Sequence, residues 1–155
     1  MSKTNAVRIL ESRKLLFELI NYEVSEDELD AVSVAKKVGM DPDTVFKTLV
    51  SRNESNKIFV FVIPGSCELN LKKAAKLSTS KSIEMIKVKE LFDLTGYIRG
   101  GCSPIGMKKD YPVFIDETAL IFDKISISAG VRGTQIVISP LDLISTVNAT
   151  TGDLI

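Results

Sequence analysis

Gly96-Tyr-Ile-Arg-Gly-Gly-Cys-Ser-Pro-Ile-Gly-Met-Lys-Lys109 gathers four of the chain's nine glycines into eleven residues, with two lysines and then a strand-like run after them. Glycine reaches φ > 0 without a Cβ penalty and lets another group lie against bare backbone. Successive N–H groups turned to one side make a concavity suited to a carbonyl oxygen or a phosphate. Gly130-Val-Arg-Gly133 has the same character, and the two clusters together hold six of the nine glycines. That concentration reads as two loops shaped around a ligand. The first loop follows a helical pattern and leads into a strand, the reverse of a dinucleotide-binding fingerprint. Met107-Lys108-Lys109 also lacks the Gly-Lys-Ser/Thr ending of a phosphate-binding P-loop.

Toward the C-terminus, strands are expected at 112–116, 124–129 and 134–139, with a brief helix over 117–122. A last helix starts at Pro140 with Ser139 as its cap, and the residues from Asn148 onward read as a loose tail. Toward the N-terminus, the helix 89–94 is preceded by a short strand through Ile83 and Met85, and by a helix over 71–77 capped by Asn70. Lys57-Ile-Phe-Val-Phe-Val-Ile63 is β-branched, aromatic and bounded by Pro64-Gly65, so it reads as a central strand. The loop Asn53–Asn56 pairs it with an extended run at Lys47–Arg52. Asp41-Pro-Asp43 supplies a cap and a first-turn proline. Ser25-Glu-Asp-Glu28 resembles a capping box opening a helix to Val38, closed by Gly39. Residues 17–24 alternate like a strand, and 5–15 carry apolar residues at turn spacing. Strands and helices mix without regular βαβ alternation. The expectation is an α+β fold: one compact domain over 1–155, with a mixed, curved, barrel-like sheet of six or seven strands surrounded by helices.

With 155 residues and 45% apolar content the chain can bury one core. No apolar run approaches the roughly 18 residues of a membrane span, and Met-Ser-Lys-Thr-Asn is no secretion signal, so the expected compartment is the cytoplasm. Cys67 and Cys102 are too isolated for a disulfide framework or a metal site. The chain has no histidine. That removes Ser-His-Asp and Cys-His activation and every histidine-based zinc site. A catalyst made from these residues has to use lysine, backbone N–H groups, a carboxylate, or groups carried by the substrate; no metal and no cofactor is implied. Net charge is zero, yet Lys72 to Lys109 holds nine Lys/Arg against three Asp/Glu, about +6. That segment suits RNA phosphates, or else forms a solvated lysine-rich surface.

Lys47 lies where an Asp-Pro-led turn becomes a strand, between Phe46 and Thr48. A partly desolvated ammonium there would bind phosphate or stabilise developing negative charge; the alternative is a solvated lysine at a strand end. Tyr22 and Tyr97 offer hydroxyls and flat faces, or simply pack. Cys102 has no histidine to activate it and reads as a small loop residue rather than a nucleophile.

Tyr22, Val45-Phe-Lys-Thr-Leu49, the glycine loop and Ser128-Ala-Gly-Val-Arg-Gly133, in that order, make the chain resemble the YbaK/EbsC family. These are free-standing relatives of the editing insertion domain of bacterial prolyl-tRNA synthetase. The resemblance runs from about residue 6 to about residue 147. It implies deacylation of mischarged tRNA, in the YbaK branch Cys-tRNA(Pro), at the terminal adenosine, within an α/β domain around a mixed sheet. It makes Lys47 the key functional residue, with Gly100 and Gly101 offering N–H groups to an oxyanion. Tyr22, Thr48, Ser103, Pro104, Gly106, Gly130, Arg132, Gly133 and Gln135 would contact substrate. Members can carry an acidic residue where this chain has Gln135, so that position does not carry cysteine specificity over. The implied partners are the acceptor end of mischarged tRNA and prolyl-tRNA synthetase. A noncatalytic module binding a nucleotide or acceptor end beside a synthetase is the alternative.

Overall fold

A computed structural model describes residues 3–155. Five helices, α1 (Asn5–Ser12), α2 (Ala31–Val38), α3 (Leu71–Leu77), α4 (Val88–Thr95) and α5 (Pro140–Val147), alternate irregularly with eight strands. The strands are β1 (Phe17–Asn21), β2 (Phe46–Asn53), β3 (Ile58–Pro64), β4 (Ile83–Met85), β5 (Val113–Asp116), β6 (Ile125–Ser128), β7 (Thr134–Ile138) and β8 (Thr150–Gly152). They form an antiparallel three-stranded sheet, β1-β7-β6, and a mixed five-stranded sheet, β4-β2-β3-β5-β8. In the second, β3–β5 and β5–β8 run parallel while β2 pairs antiparallel with β3 and β4.

The α+β class holds, but the expected single barrel-like sheet is two open sheets, with eight strands where six or seven were expected. One parallel bridge, Val45 to Ser126, joins them. β3 is central, and its continuous apolar run serves two faces. Val60 and Val62 join Ile115, Ile125, Ile127, Ile136 and Ile138 in a core between the sheets, closed by Leu10 of α1 and Leu143 of α5. Phe59, Phe61 and Ile63 face the opposite way, onto Phe114, Ile83 and the alanines of α3. A small third cluster, Val50, Tyr97 and Cys102, lies beneath the glycine loop.

Two local expectations are corrected. Ser25 makes no capping bond; Glu26–Glu28 is a short 3-10 turn, and α2 starts later because the Asp30 carboxylate accepts from the Ser33 N–H at 3.1 Å. The tail is not loose. β8 adds to the sheet edge beside β5, and Leu154 is fully buried with its N–H donating to Asp116 Oδ1 at 2.8 Å. The local polarity that suggested looseness is outweighed by this buried acceptor.

Candidate active site

Lys47 is the second residue of β2, and several local features fix its position. Asp41 caps the preceding 3-10 turn through the Asp43 N–H at 2.9 Å, with Pro42 at its first position. Val45, 1% exposed, is pinned by its bridge to Ser126. The half-buried Lys47 side chain then crosses to the end of β3, where Nζ donates to the Gly65 carbonyl at 3.3 Å. Gly65 must lack a side chain: a Cβ would stand 2.3 Å from Ala31 Cβ and 2.7 Å from the Val45 carbonyl oxygen. The start of α2 therefore lies directly on the chain beside Lys47.

These elements, the glycine loop and the three-stranded sheet enclose a pocket of about 330 Å³. Asp30 and Ala31 line it from α2, Phe46 to Leu49 from β2, Arg99, Gly100 and Cys102 from the loop, and Ser128 and Gln135 from the second sheet. Thr48 Oγ1 is buried there with no hydrogen-bond partner, an arrangement native proteins rarely leave without a role. Gln135 is fixed by its Oε1, which accepts from Ser126 Oγ at 2.7 Å; its NH2 group is the end not used in that bond. The lining holds two cations, Lys47 and Arg99, and one carboxylate, Asp30. The bonds from Ser33, first side chain and then backbone, hold Asp30 below its ordinary value, with a lesser contribution from Lys47. Burial pushes the Cys102 thiol up to about 12, so it stays protonated and is no nucleophile near neutrality.

Of the residues expected from sequence, the pocket brings together Lys47, Thr48, Gly100 and Gln135. Gly101 is different: its N–H is committed to the Ile98 carbonyl at 2.9 Å, and a Cβ there would meet Arg132 N at 2.9 Å. Its lack of a side chain serves the packing of one glycine loop on the other. The N–H groups of Gly100 and Cys102, by contrast, meet no acceptor among the described residues. Arg132 bolts the loops together, its Nε donating to the Arg99 carbonyl at 2.7 Å. Gly130 and Gly106 make room for Tyr97, whose ring would lie 2.8 Å from a Cβ at Gly130 and whose hydroxyl donates to Ile105 O at 2.5 Å. The Gly133 carbonyl accepts from the Tyr22 N–H at 2.8 Å, while the Tyr22 side chain lines a separate surface hollow with Glu28 and Lys37. Ser103 is fully buried, its Oγ accepting from the Ile105 N–H at 3.2 Å. Pro104 and Gly106 line a different cavity of about 560 Å³ beside Tyr111 and Asn148.

Sequence reasoning missed Asp30, Ala31, Gly65, Arg99 and Ser128. Asp30-Ala-Val-Ser33 is itself a capping signature that would have located the start of α2. Pro64-Gly65 was read only as a strand boundary.

Residues 25–146 match the family described as the aminoacyl-tRNA editing domain. The chain is 47% identical over 146 residues to the Enterococcus faecalis protein named "Putative Cys-tRNA(Pro)/Cys-tRNA(Cys) deacylase EbsC", covering 94% of this chain and 89% of that one. It is 29% identical over 99 residues to the proline–tRNA ligase of Shouchella clausii, covering 64% of this chain but 17% of the ligase. Its fold is similar to a crystal structure titled "a putative trans-editing enzyme for prolyl tRNA synthetase", with TM-score 0.82 and 24% identity over 99% of this chain and 98% of that one. The match over residues 25–146 and the 47% identical relative show that the chain belongs to the aminoacyl-tRNA editing domain family, and its fold is in keeping with that.

Proposed function

We propose that the chain acts in trans as one editing domain, deacylating mischarged tRNA, with Cys-tRNA(Pro) as its foremost substrate. The observation that carries this reading is a pocket with a lysine, open backbone N–H groups and an unsatisfied hydroxyl, in which the one carboxylate, Asp30, is engaged by Ser33 and neither a histidine nor a thiolate is offered. The chain has no histidine, and the one thiol in the pocket is held protonated. An aminoacyl ester is already activated, so such a site works if the substrate brings its own attacking atom.

In this reading the terminal adenosine places its aminoacyl ester in the Lys47 pocket. For a cysteinyl ester, the substrate sulfur attacks the ester carbonyl carbon. A C–S bond forms, the C–O bond to the ribose breaks, and the thiol proton ends on the ribose oxygen. Water then opens the resulting thiolactone. For other amino acids the neighbouring ribose hydroxyl orients a water for the same attack. The N–H groups of Gly100 and Cys102, rather than Gly101, meet the oxyanion, and Lys47 offsets its charge. Loss of one such donor typically costs roughly 3–4 kcal/mol. Thr48 Oγ1 and the Gln135 amide contact the ester or ribose.

A protein of zero net charge holds RNA weakly without help. The basic segment 72–109 is therefore read as the RNA face, with prolyl-tRNA synthetase supplying tRNA selection in the cytoplasm, where translation runs. The test is a panel of aminoacyl-tRNAs. Release of cysteine from tRNA(Pro), with Pro-tRNA(Pro) spared, is expected; binding without turnover on every member would favour a noncatalytic module.

A further inference from the structure

The α4 helix leaves an apolar edge uncovered beside the candidate active site. Val88 is 63% exposed and Phe92 55% exposed, one helical turn apart and so on one face. Val88 and Leu91, with Met85 and Ile86, wall a cavity of about 190 Å³ that shares Thr48, Arg99, Gly100 and Cys102 with the Lys47 pocket. Through Val88 the edge reaches the site, while Phe92 lines neither cavity and stands one helical turn further along α4. The edge is also cationic. Lys108 Nζ lies over the Phe92 ring, 5.0 Å from its centroid, and Arg99 is exposed on the wall common to both cavities. Neither cation makes an ion pair among the described residues.

An exposed ring and a branched aliphatic chain flanked by free cations, leading along one helix face to a cavity beside unsatisfied polar groups, match the chemistry of an unpaired ribonucleotide. Bases stack on aromatic faces whatever their sequence, while cations follow the backbone phosphates. A protein partner fits less well, because the buried centre of a protein interface is depleted of charge, whereas here an ammonium sits on the central ring. We propose that Val88 and Phe92 form a stacking platform, with Lys108 and Arg99 as phosphate contacts, for the unpaired nucleotides preceding the terminal adenosine of the acceptor end. This rests on the function proposed above.

The test uses the full chain and two substrates, Cys-tRNA(Pro) and the small ester 3′-O-cysteinyl adenosine. It adds a short single-stranded RNA of acceptor-end sequence carrying 2-aminopurine before the terminal adenosine. Phe92→Ala is expected to lower kcat/KM on tRNA about ten-fold, in line with the stacking of one base. The loss on the small ester should be several-fold smaller. The same variant should abolish 2-aminopurine quenching, and Phe92→Trp should restore it. Lys108→Gln should flatten the slope of log affinity against log salt by about 0.7 for the oligonucleotide. Unchanged quenching and unchanged tRNA kinetics in Phe92→Ala would overturn the platform, as would equal losses on tRNA and small ester. Intact RNA binding with lost binding to prolyl-tRNA synthetase would assign the face to a protein and overturn it too. If wild type cleaves neither substrate, the proposed function fails, while the quenching and salt measurements still decide the platform.

Discussion

Lys47 Nζ donates to the Gly65 carbonyl oxygen at 3.3 Å, tying the start of β2 to the residue that follows β3. The bond uses one of three ammonium donors and is long, so the charge is positioned without being saturated. Gly65 itself is wedged between Ala31 Cβ and the Val45 carbonyl. Gly65→Ala is expected to destabilise the fold by about 1–3 kcal/mol, because neither neighbour is the end of a flexible side chain. Urea unfolding checks this; an unchanged midpoint would contradict the packing described.

Asp116 is fully buried and accepts from the Thr118 N–H at 3.1 Å, from Thr118 Oγ1 at 2.5 Å and from the Leu154 N–H at 2.8 Å. Asp116→Ala leaves those donors unsatisfied and is expected to cost about 2–3 kcal/mol. Hydrogen exchange at the Leu154 amide should quicken in the same variant. If exchange stays as in wild type, the tail is held by something other than this carboxylate.

Burial pushes both the Cys102 thiol and the Tyr97 hydroxyl up to about 12 from ordinary values of 9.0 and 10.0. Each is neutral in the folded chain at pH values where it ionises in the unfolded one. Their stabilising contribution is therefore complete below about pH 9 and is lost as pH climbs toward 12. Unfolding free energy measured from pH 8 to 11 should fall, and fall less steeply in Cys102→Ala. At pH 8, iodoacetamide should label the half-buried Cys67 well before the buried Cys102. Equal labelling would place Cys102 in solvent.

Much of this fold could be read from the chain because its signals are local. Asn70 caps α3 through the Lys73 N–H, Gly39 ends α2 at φ 72°, and the unbroken apolar run of β3 marks the strand covered on both faces. What escaped reading is what depends on distant partners. β8, Thr150-Thr-Gly152, is too short and polar to show an apolar alternation, and it exists because β5 offers an edge and Asp116 an acceptor. The split into two sheets turns on a single bridge, Val45 to Ser126. At the site, the glycine clusters marked the right loops, but not which glycines face ligand. Gly101, Gly106 and Gly130 are small to admit Arg132 and Tyr97, contacts that no local pattern encodes. Gly65 and Asp30 went unread because their importance comes from α2 lying across the end of β3.

The central claim, an ammonium and backbone amides serving an ester that supplies its own nucleophile, is tested most directly by single-turnover release of cysteine from Cys-tRNA(Pro) by Lys47→Ala. The half-buried Lys47 side chain makes one long bond, so the variant should unfold at nearly the wild-type urea midpoint. Its rate is expected to fall about 100-fold or more, the scale of a lost oxyanion stabiliser. A folded Lys47→Ala protein that still releases cysteine within about 3-fold of wild type, against that expected loss, would contradict the account.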